Sequence, residues 1–309
     1  MGQYDHLFGW NPRVARIAND AAPPEFQRSL NIVGAGPISR RKFFFEIARK
    51  VLGGLDIYDY SLAHNEDVTQ DIGDCVSWGA KHAIEYLQCF QLNLGNWDEY
   101  KIIFSPYLYG CGRVYIGDGN ISGDGSCGIW QAQAVVQYGS IPTDLPGLPK
   151  YNGKIAKQFG DSRSILDQWN GEGKKHLIKS TAKVSSWEQA VQAVINGYPV
   201  TVASNVGFEM LPRSDGFHHR SGNWGHQMCL IGVDDDGDGI PSHGIIMNNW
   251  GDVHGSLTDL RDKTIKLPPG VLRVRGEDIQ IMLNADDSFA YSGYYGFPAQ
   301  ITSDDFASI

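Results

Sequence analysis

Gln70-Asp71-Ile72-Gly73-Asp74-Cys75-Val76-Ser77-Trp78, continued by Gly79-Ala80, reads as a cysteine carried on the first turn of a helix. Gly73 and Asp74 supply turn and cap chemistry, and Ala80, Ala83, Ile84 and Leu87 then recur at helical spacing. A thiol placed there faces unpaired backbone N–H groups and the positive end of the helix dipole. The expectation is a lowered pKa and a stronger nucleophile at neutral pH. A lone cysteine is more often inert packing, so Cys75 needs a partner before it reads as reactive. Trp78 reads as helix packing.

A second stretch supplies that partner. Asn223-Trp224-Gly225-His226-Gln227-Met228-Cys229-Leu230-Ile231-Gly232-Val233 and Gly244-Ile245-Ile246-Met247-Asn248-Asn249-Trp250-Gly251 both read as strands, and the Asp/Gly-rich run 234–242 between them reads as a turn. The simplest arrangement is an antiparallel hairpin. With the turn centred near Gly237, His226 falls opposite Asn248 on the same face, where a side-chain amide can orient an imidazole. A bulge in the long turn would shift that count. Asp234-x-Asp236-x-Asp238-Gly239 copies the opening of a calcium loop, but the twelfth position is Ile245 where a glutamate is required, so a solvated turn is the better reading and no metal is assigned.

The order Gln70, Cys75, His226, Asn248, ending in Asn248-Asn249-Trp250-Gly251, resembles the papain-like cysteine peptidases. Phe104-Ser105-Pro106-Tyr107-Leu108-Tyr109 is similar to the segment after the family's catalytic helix. Ser126-Cys127-Gly128 with 132–139 is similar to its glycine loop and next helix, and 187–203 to the helix and strand before the histidine. The match covers roughly 65–255 in the family's order. It implies an α+β fold of two lobes, one helical and one an antiparallel β-barrel-like lobe, with the active-site cleft between them. It also implies roles: Cys75 as nucleophile, His226 as base, Asn248 as its orienter, and Gln70 with the Cys75 amide as oxyanion donors. Gly125 and Gly128 would meet substrate main chain, Val200 and Gln227 would line the specificity pocket, and Trp250 would shield the histidine–asparagine bond. Two features depart from the family: Gln70 stands one residue closer to the cysteine, and the tryptophan is displaced to Trp78.

The resemblance implies a cysteine peptidase acting on peptide or protein substrates without a cofactor. An amidase or transpeptidase keeps the same chemistry with another acceptor. A papain-fold structural or binding component with an unused site is the alternative from another class.

The rest of the chain is less specific. With 309 residues, 42% hydrophobic and 20% charged, it is expected to be globular. A net charge of −9 argues against nucleic acid as a partner. No span long enough for a membrane and no secretory signal are visible, so a cytoplasmic or assembly-associated protein is favoured. Cys89, Cys111, Cys127 and Cys229 are read as reduced, with 111 and 127 the pair that could bridge. Residues 1–60 form an N-terminal extension, either an inhibitory pro-segment or a docking arm, with an amphipathic helix over 39–52. The domain proper is 61–309: a helical lobe near 70–180, a β lobe near 181–285 and an aromatic tail over 286–309 that could meet an assembly partner.

Overall fold

The computed structural model describes residues 3–30, 69–93, 100–251, 253–264, 266–267 and 270–294. The predicted helix over 39–52, the connection before Gln70 and the residues after 294 lie outside them. Among the described residues no helix is long and apolar enough to cross a membrane.

The chain enters through α1 (Pro12–Ala21), capped by the Asn11 side chain accepting from the amides of Arg13 and Val14, with Pro12 at the first helical turn. Then come α2 (Cys75–Asn93), α3 (Ser105–Gly110) continued by a π-helical turn at Cys111–Ile116, α4 (Gly128–Gln137), α5 (Gly153–Asp161) and α6 (Arg163–Gly173). The second half supplies β1 (Ile178–Lys183), α7 (Trp187–Ile195), β2 (Val200–Phe208), β3 (Arg220–Asp235), β4 (Pro241–Met247), β5 (Val271–Arg275), α8 (Gly276–Leu283) and β6 (Phe289–Tyr294).

Helix α2 is the central pillar. Its apolar residues Val76, Ala80, Ala83, Ile84 and Leu87 are buried, but so are the polar Lys81, Glu85 and Gln88 on the opposite side. A helix buried all round must satisfy its polar groups internally. Lys81 pairs with Glu85, which also accepts the Ile103 amide, and Gln88 bonds both backbone groups of Lys101.

The six strands form one antiparallel sheet in the order β1-β6-β2-β3-β4-β5. The α+β class matches the expectation, but the sheet does not close into a barrel. Its edges are covered instead: backbone from Arg28–Leu30 pairs with Lys183 on β1, and the His218 amide bonds Arg273 on β5. Covering an edge removes the exposed ladder that closure would otherwise remove. Residues 289–294, read as part of a tail, are an inner strand between β1 and β2. All five cysteines are buried free thiols, so Cys111 and Cys127 are not bridged.

Candidate active site

Cys75 sits at the first residue of α2, as its sequence context requires, but its environment is unlike the expectation. The side chain is fully buried, and burial pushes the thiol up to about 12 even though backbone hydrogen bonds from Gln227, Gly9 and Trp10 pull it down. The neighbouring Asp74 also raises it. Desolvation outweighs the helix terminus, and the thiol is neutral at pH 7.

His226 lies on β3 and is itself buried. Its Nε2 is 2.7 Å from Asn248 Oδ1, while its Nδ1 has no hydrogen-bond partner. Burial holds the imidazole down at about 4, opposed by the Asn248 bond. Of the three backbone groups that hydrogen-bond the Cys75 sulfur, one belongs to Gln227, the residue after His226.

The strand register differs from the simple hairpin count. Cys229 pairs with Met247 and Leu230 with Ile246, with irregularities before Gly232 and at Asp235. Continuing that ladder sets Asn248 across from Met228, two residues from His226. His226 and Asn248 are therefore diagonal neighbours on one face, a separation that long side chains bridge. The predicted contact forms because a two-residue offset preserves the face, whereas a one-residue slip would have lost it.

Gln70 is buried despite its shortened spacing. Its backbone N–H donates to Asn249 O at 2.8 Å, and its Oε1 accepts from the Trp250 indole at 3.2 Å and from Asn249 Nδ2 at 2.8 Å. An indole N–H can only donate, so the polarity of the Gln70 amide is fixed. Nε2 then points the other way, donating to the carbonyls of Leu7 and Ile72. The Trp250 ring stands 4.6 Å from His226 between centroids.

The Leu7 carbonyl belongs to a segment that runs through the site. Ser126 N–H donates to Gly9 O at 2.7 Å, Asn11 N–H to Ser126 O at 3.0 Å, and Trp10 N–H to Gly225 O at 2.9 Å. Residues 7–11 thus bond the loop before α4 on one side and the start of the His226 strand on the other. Tyr4 stacks on Trp250 with ring centroids 5.2 Å apart, and the Trp10 indole donates to Asp287 at 2.8 Å. At Gly9 the contact is closest: a Cβ there would fall 1.9 Å from Gly73 O.

Solved structures share this arrangement of helices and sheet. Xylellain, a cysteine protease from Xylella fastidiosa, matches with a TM-score of 0.51 at 15% identity, over 87% of this chain and 96% of that one. Procathepsin B S9 from Trypanosoma congolense matches with a TM-score of 0.51 at 12% identity, over 95% of this chain and 86% of that one. The fold is papain-like. No family model matches the sequence, and no curated protein matches it. At these identities the likeness carries the fold alone.

On this papain-like frame the residues expected to meet substrate divide. Gly125 adopts a φ of +111°, and a Cβ on it would fall 2.8 Å from Gly9 O, so it does lie against the threaded segment. The main-chain pairing itself is made by Ser126. Gly128 is inside the first turn of α4, where its amide donates to Asp287 and a Cβ would meet Asp287 O at 2.4 Å. Val200 is fully buried in β2, and Gln227 donates to Val76 O at 3.0 Å, tying β3 to α2. Neither side chain is exposed, so neither lines an open pocket.

Three of the turn's carboxylates are engaged by arginines: Arg261 reaches Asp234 at 2.7 Å and Asp235 at 2.9 Å, and Arg275 reaches Asp236 at 2.9 Å, while Asp238 accepts from the Ile240 amide. Among the described residues no group of His, Cys, Asp and Glu is arranged to hold a metal. His219 pairs with Asp215, whereas His218 turns inward.

Two carboxylates are buried beside the site: Asp287, which the sequence does not mark, and Asp74, which it marks only as a cap. Asp287 accepts from Trp10, Gly128, Ile129 and Asn19, and burial raises it to about 6. Asp74, directly before the cysteine, is raised by burial to about 8, with bonds from Tyr151 and Trp78 opposing. A carboxyl with a raised folded pKa contributes stability that is present below its unfolded pKa, near 4, and lost as pH rises through the folded value. Across that window the folded chain binds more protons than the unfolded one, so stability falls as pH rises. Asp74→Asn removes this dependence. Its thermal midpoint, read by scanning calorimetry, is expected above wild type at about pH 8, with a flatter profile above about pH 7, where Asp287 has largely titrated.

Proposed function

We propose that this chain is a papain-fold cysteine peptidase held latent by its own residues 4–11. The observation that carries the reading is the division of labour on His226. Its Nε2 is committed to Asn248 and its Nδ1 is left bare, one residue along the strand from the Gln227 backbone group that bonds the Cys75 sulfur.

In the uncovered site, Nδ1 takes the proton of Cys75 and the thiolate attacks a peptide carbonyl carbon. The oxyanion that forms is met by Gln70 Nε2, released from Leu7 O, and by the Cys75 backbone N–H, donors that act on the charge as it develops. The C–N bond breaks as the imidazolium protonates the leaving amine. Water deprotonated by His226 then hydrolyses the thioester. Asn248 holds the ring throughout, and Trp250 keeps water from the bond that orients it. No step needs a metal or an organic cofactor.

Residues 4–11 oppose this chemistry because they offer the sulfur the wrong groups. The backbone of Gly9 and Trp10 gives Cys75 hydrogen-bond donors, while the carbonyl at Gln70 belongs to Leu7. A segment that donates to the sulfur is not presenting it with a carbonyl carbon. Lifting the segment re-exposes Leu7 and Trp10, at about 2 kcal/mol each, so the open state would be about one part in 10³.

The test is product analysis on a peptide series, with and without an added amine. Cleavage with water as acceptor supports a peptidase, and transfer to the amine would shift the assignment to a transpeptidase. The alternative of a non-catalytic papain-fold component is favoured by one observation: Leu7, Trp10, Phe26 and Leu30 all belong to the main core, as expected of a permanent part of the domain. A chain that neither cleaves nor transfers after the segment is displaced would support that alternative.

A further inference from the structure

Behind Asn248 lies a second histidine that neither the proposed chemistry nor the family pattern uses. His254 is fully buried, with its Nε2 2.6 Å from Asn248 Nδ2 and its Nδ1 3.3 Å from Met210 O. Its surroundings are aromatic: Trp224, Trp250 and the ring of His218 all stand within 6.3 Å of it between centroids.

The polarity of this chain is set at both ends by backbone groups that have only one role. Asn249 N–H can only donate, and it donates to Asn248 Oδ1 at 2.8 Å. The Met210 carbonyl can only accept, so His254 carries its hydrogen on Nδ1 and presents Nε2 as an acceptor. The amide of Asn248 therefore points Nδ2 at His254 and Oδ1 at His226. Since Oδ1 can only accept, His226 must carry its hydrogen on Nε2, which leaves Nδ1 bare. A further bond steadies the backbone here, because Arg273 N–H donates to His218 Nδ1 and His218 Nε2 then donates to His254 O at 3.2 Å.

We propose that His254 is a positioning residue: by accepting the Asn248 Nδ2 hydrogen it locks the amide, and through it fixes His226 as the Nε2–H tautomer with Nδ1 free to take a proton. The inference rests on the reading of His226 as the base. Burial also keeps His254 down at about 3, so it remains an acceptor across the neutral range. Without it, the Asn248 N–H has no acceptor in a dry site, a loss that is costly only because water cannot replace it.

The experiment is nitrogen NMR of the full chain labelled at both histidine and asparagine nitrogens near neutral pH, combined with the rate of Cys75 alkylation in a Gly9→Val background. Wild type is expected to show one His226 tautomer, protonated at Nε2. It should also show nitrogen–nitrogen coupling across the Asn248 Nδ2–His254 Nε2 bond. His254→Phe leaves the Asn249 N–H as the remaining anchor of the amide, too little to hold it against an unsatisfied Nδ2, so it should mix the His226 tautomers and slow alkylation about tenfold without changing reagent affinity; His254→Gln, whose side-chain oxygen can accept, should restore both. A single Nε2–H tautomer in His254→Phe, or no coupling across the bond in wild type, would overturn the proposal. The coupling is read in the unaltered chain, so it decides the matter even where a variant fails to fold. A chain with the expected tautomer and coupling that alkylates in no background would instead count against the peptidase reading, and leave the positioning role standing.

Discussion

Gly9→Val turns on peptide hydrolysis, with an expected rise of about two to three orders of magnitude over the unaltered chain. The position has no room for any side chain, because a Cβ meets the Gly73 carbonyl oxygen at 1.9 Å and its carbon at 2.3 Å. Both are backbone atoms beside α2, and they cannot swing aside as a side-chain tip would. The segment must therefore lift from Gly73, which breaks the Ser126–Gly9 and Gln70–Leu7 bonds together and returns water to Cys75. The desolvation that holds the thiol near 12 is then relieved. The gain is bounded by the free energy that closes the site, so an increase of about 10³ would mean the segment has been fully displaced. Initial rates on a fluorogenic peptide mixture measure it. Rates equal to wild type in a folded Gly9→Val chain would show that residues 4–11 do not control the site.

Gln70→Ala in the Gly9→Val background should separate two reactions of the same thiol. Peptide hydrolysis passes through a tetrahedral oxyanion, and losing one donor to it raises the barrier by about 3 kcal/mol, a fall of about a hundredfold or more in kcat. Alkylation by an epoxide forms no such intermediate, so its rate should change little. In the otherwise unaltered chain the same substitution removes the Gln70–Leu7 bond and loosens the segment, so alkylation should rise. Parallel measurement of kcat and alkylation rate tests this. Equal losses in both reactions would mean that Gln70 serves mainly to hold Asn249 and Trp250 in place.

The sequence signals that held were those tied to a backbone requirement. Gly73-Asp74 before Cys75 marks the start of α2, and the Asp/Gly turn joins β3 to β4, so His226 meets Asn248 even though the register is offset by two. Other features were illegible for physical reasons. Helix α1 spans only Pro12–Ala21 and buries the small Ala15 and Ala18 while Ile17 faces solvent, so its largest apolar residue points away from the face it packs. Its one clear mark is the Asn11-Pro12 start. Strand β6 is buried on both faces, so Phe289 to Ser292 show no alternation and read as an aromatic tail. The ionisation of Cys75 depends on what covers it, and no local pattern encodes the arrival of Gly9 and Trp10 from more than sixty residues away. His254 likewise gains its role only through folding, since its spacing from Asn248 says nothing about which amide hydrogen it meets.

The central claim, an activatable Cys75–His226 pair, is tested most directly by intact mass after exposure to an epoxysuccinyl peptide probe at about pH 7. The account predicts slow labelling of the unaltered chain and one adduct per molecule in Gly9→Val. It predicts no adduct when Cys75→Ala or His226→Ala is added to that background. An adduct that persists in the His226→Ala chain, or none in a folded Gly9→Val chain, would contradict it.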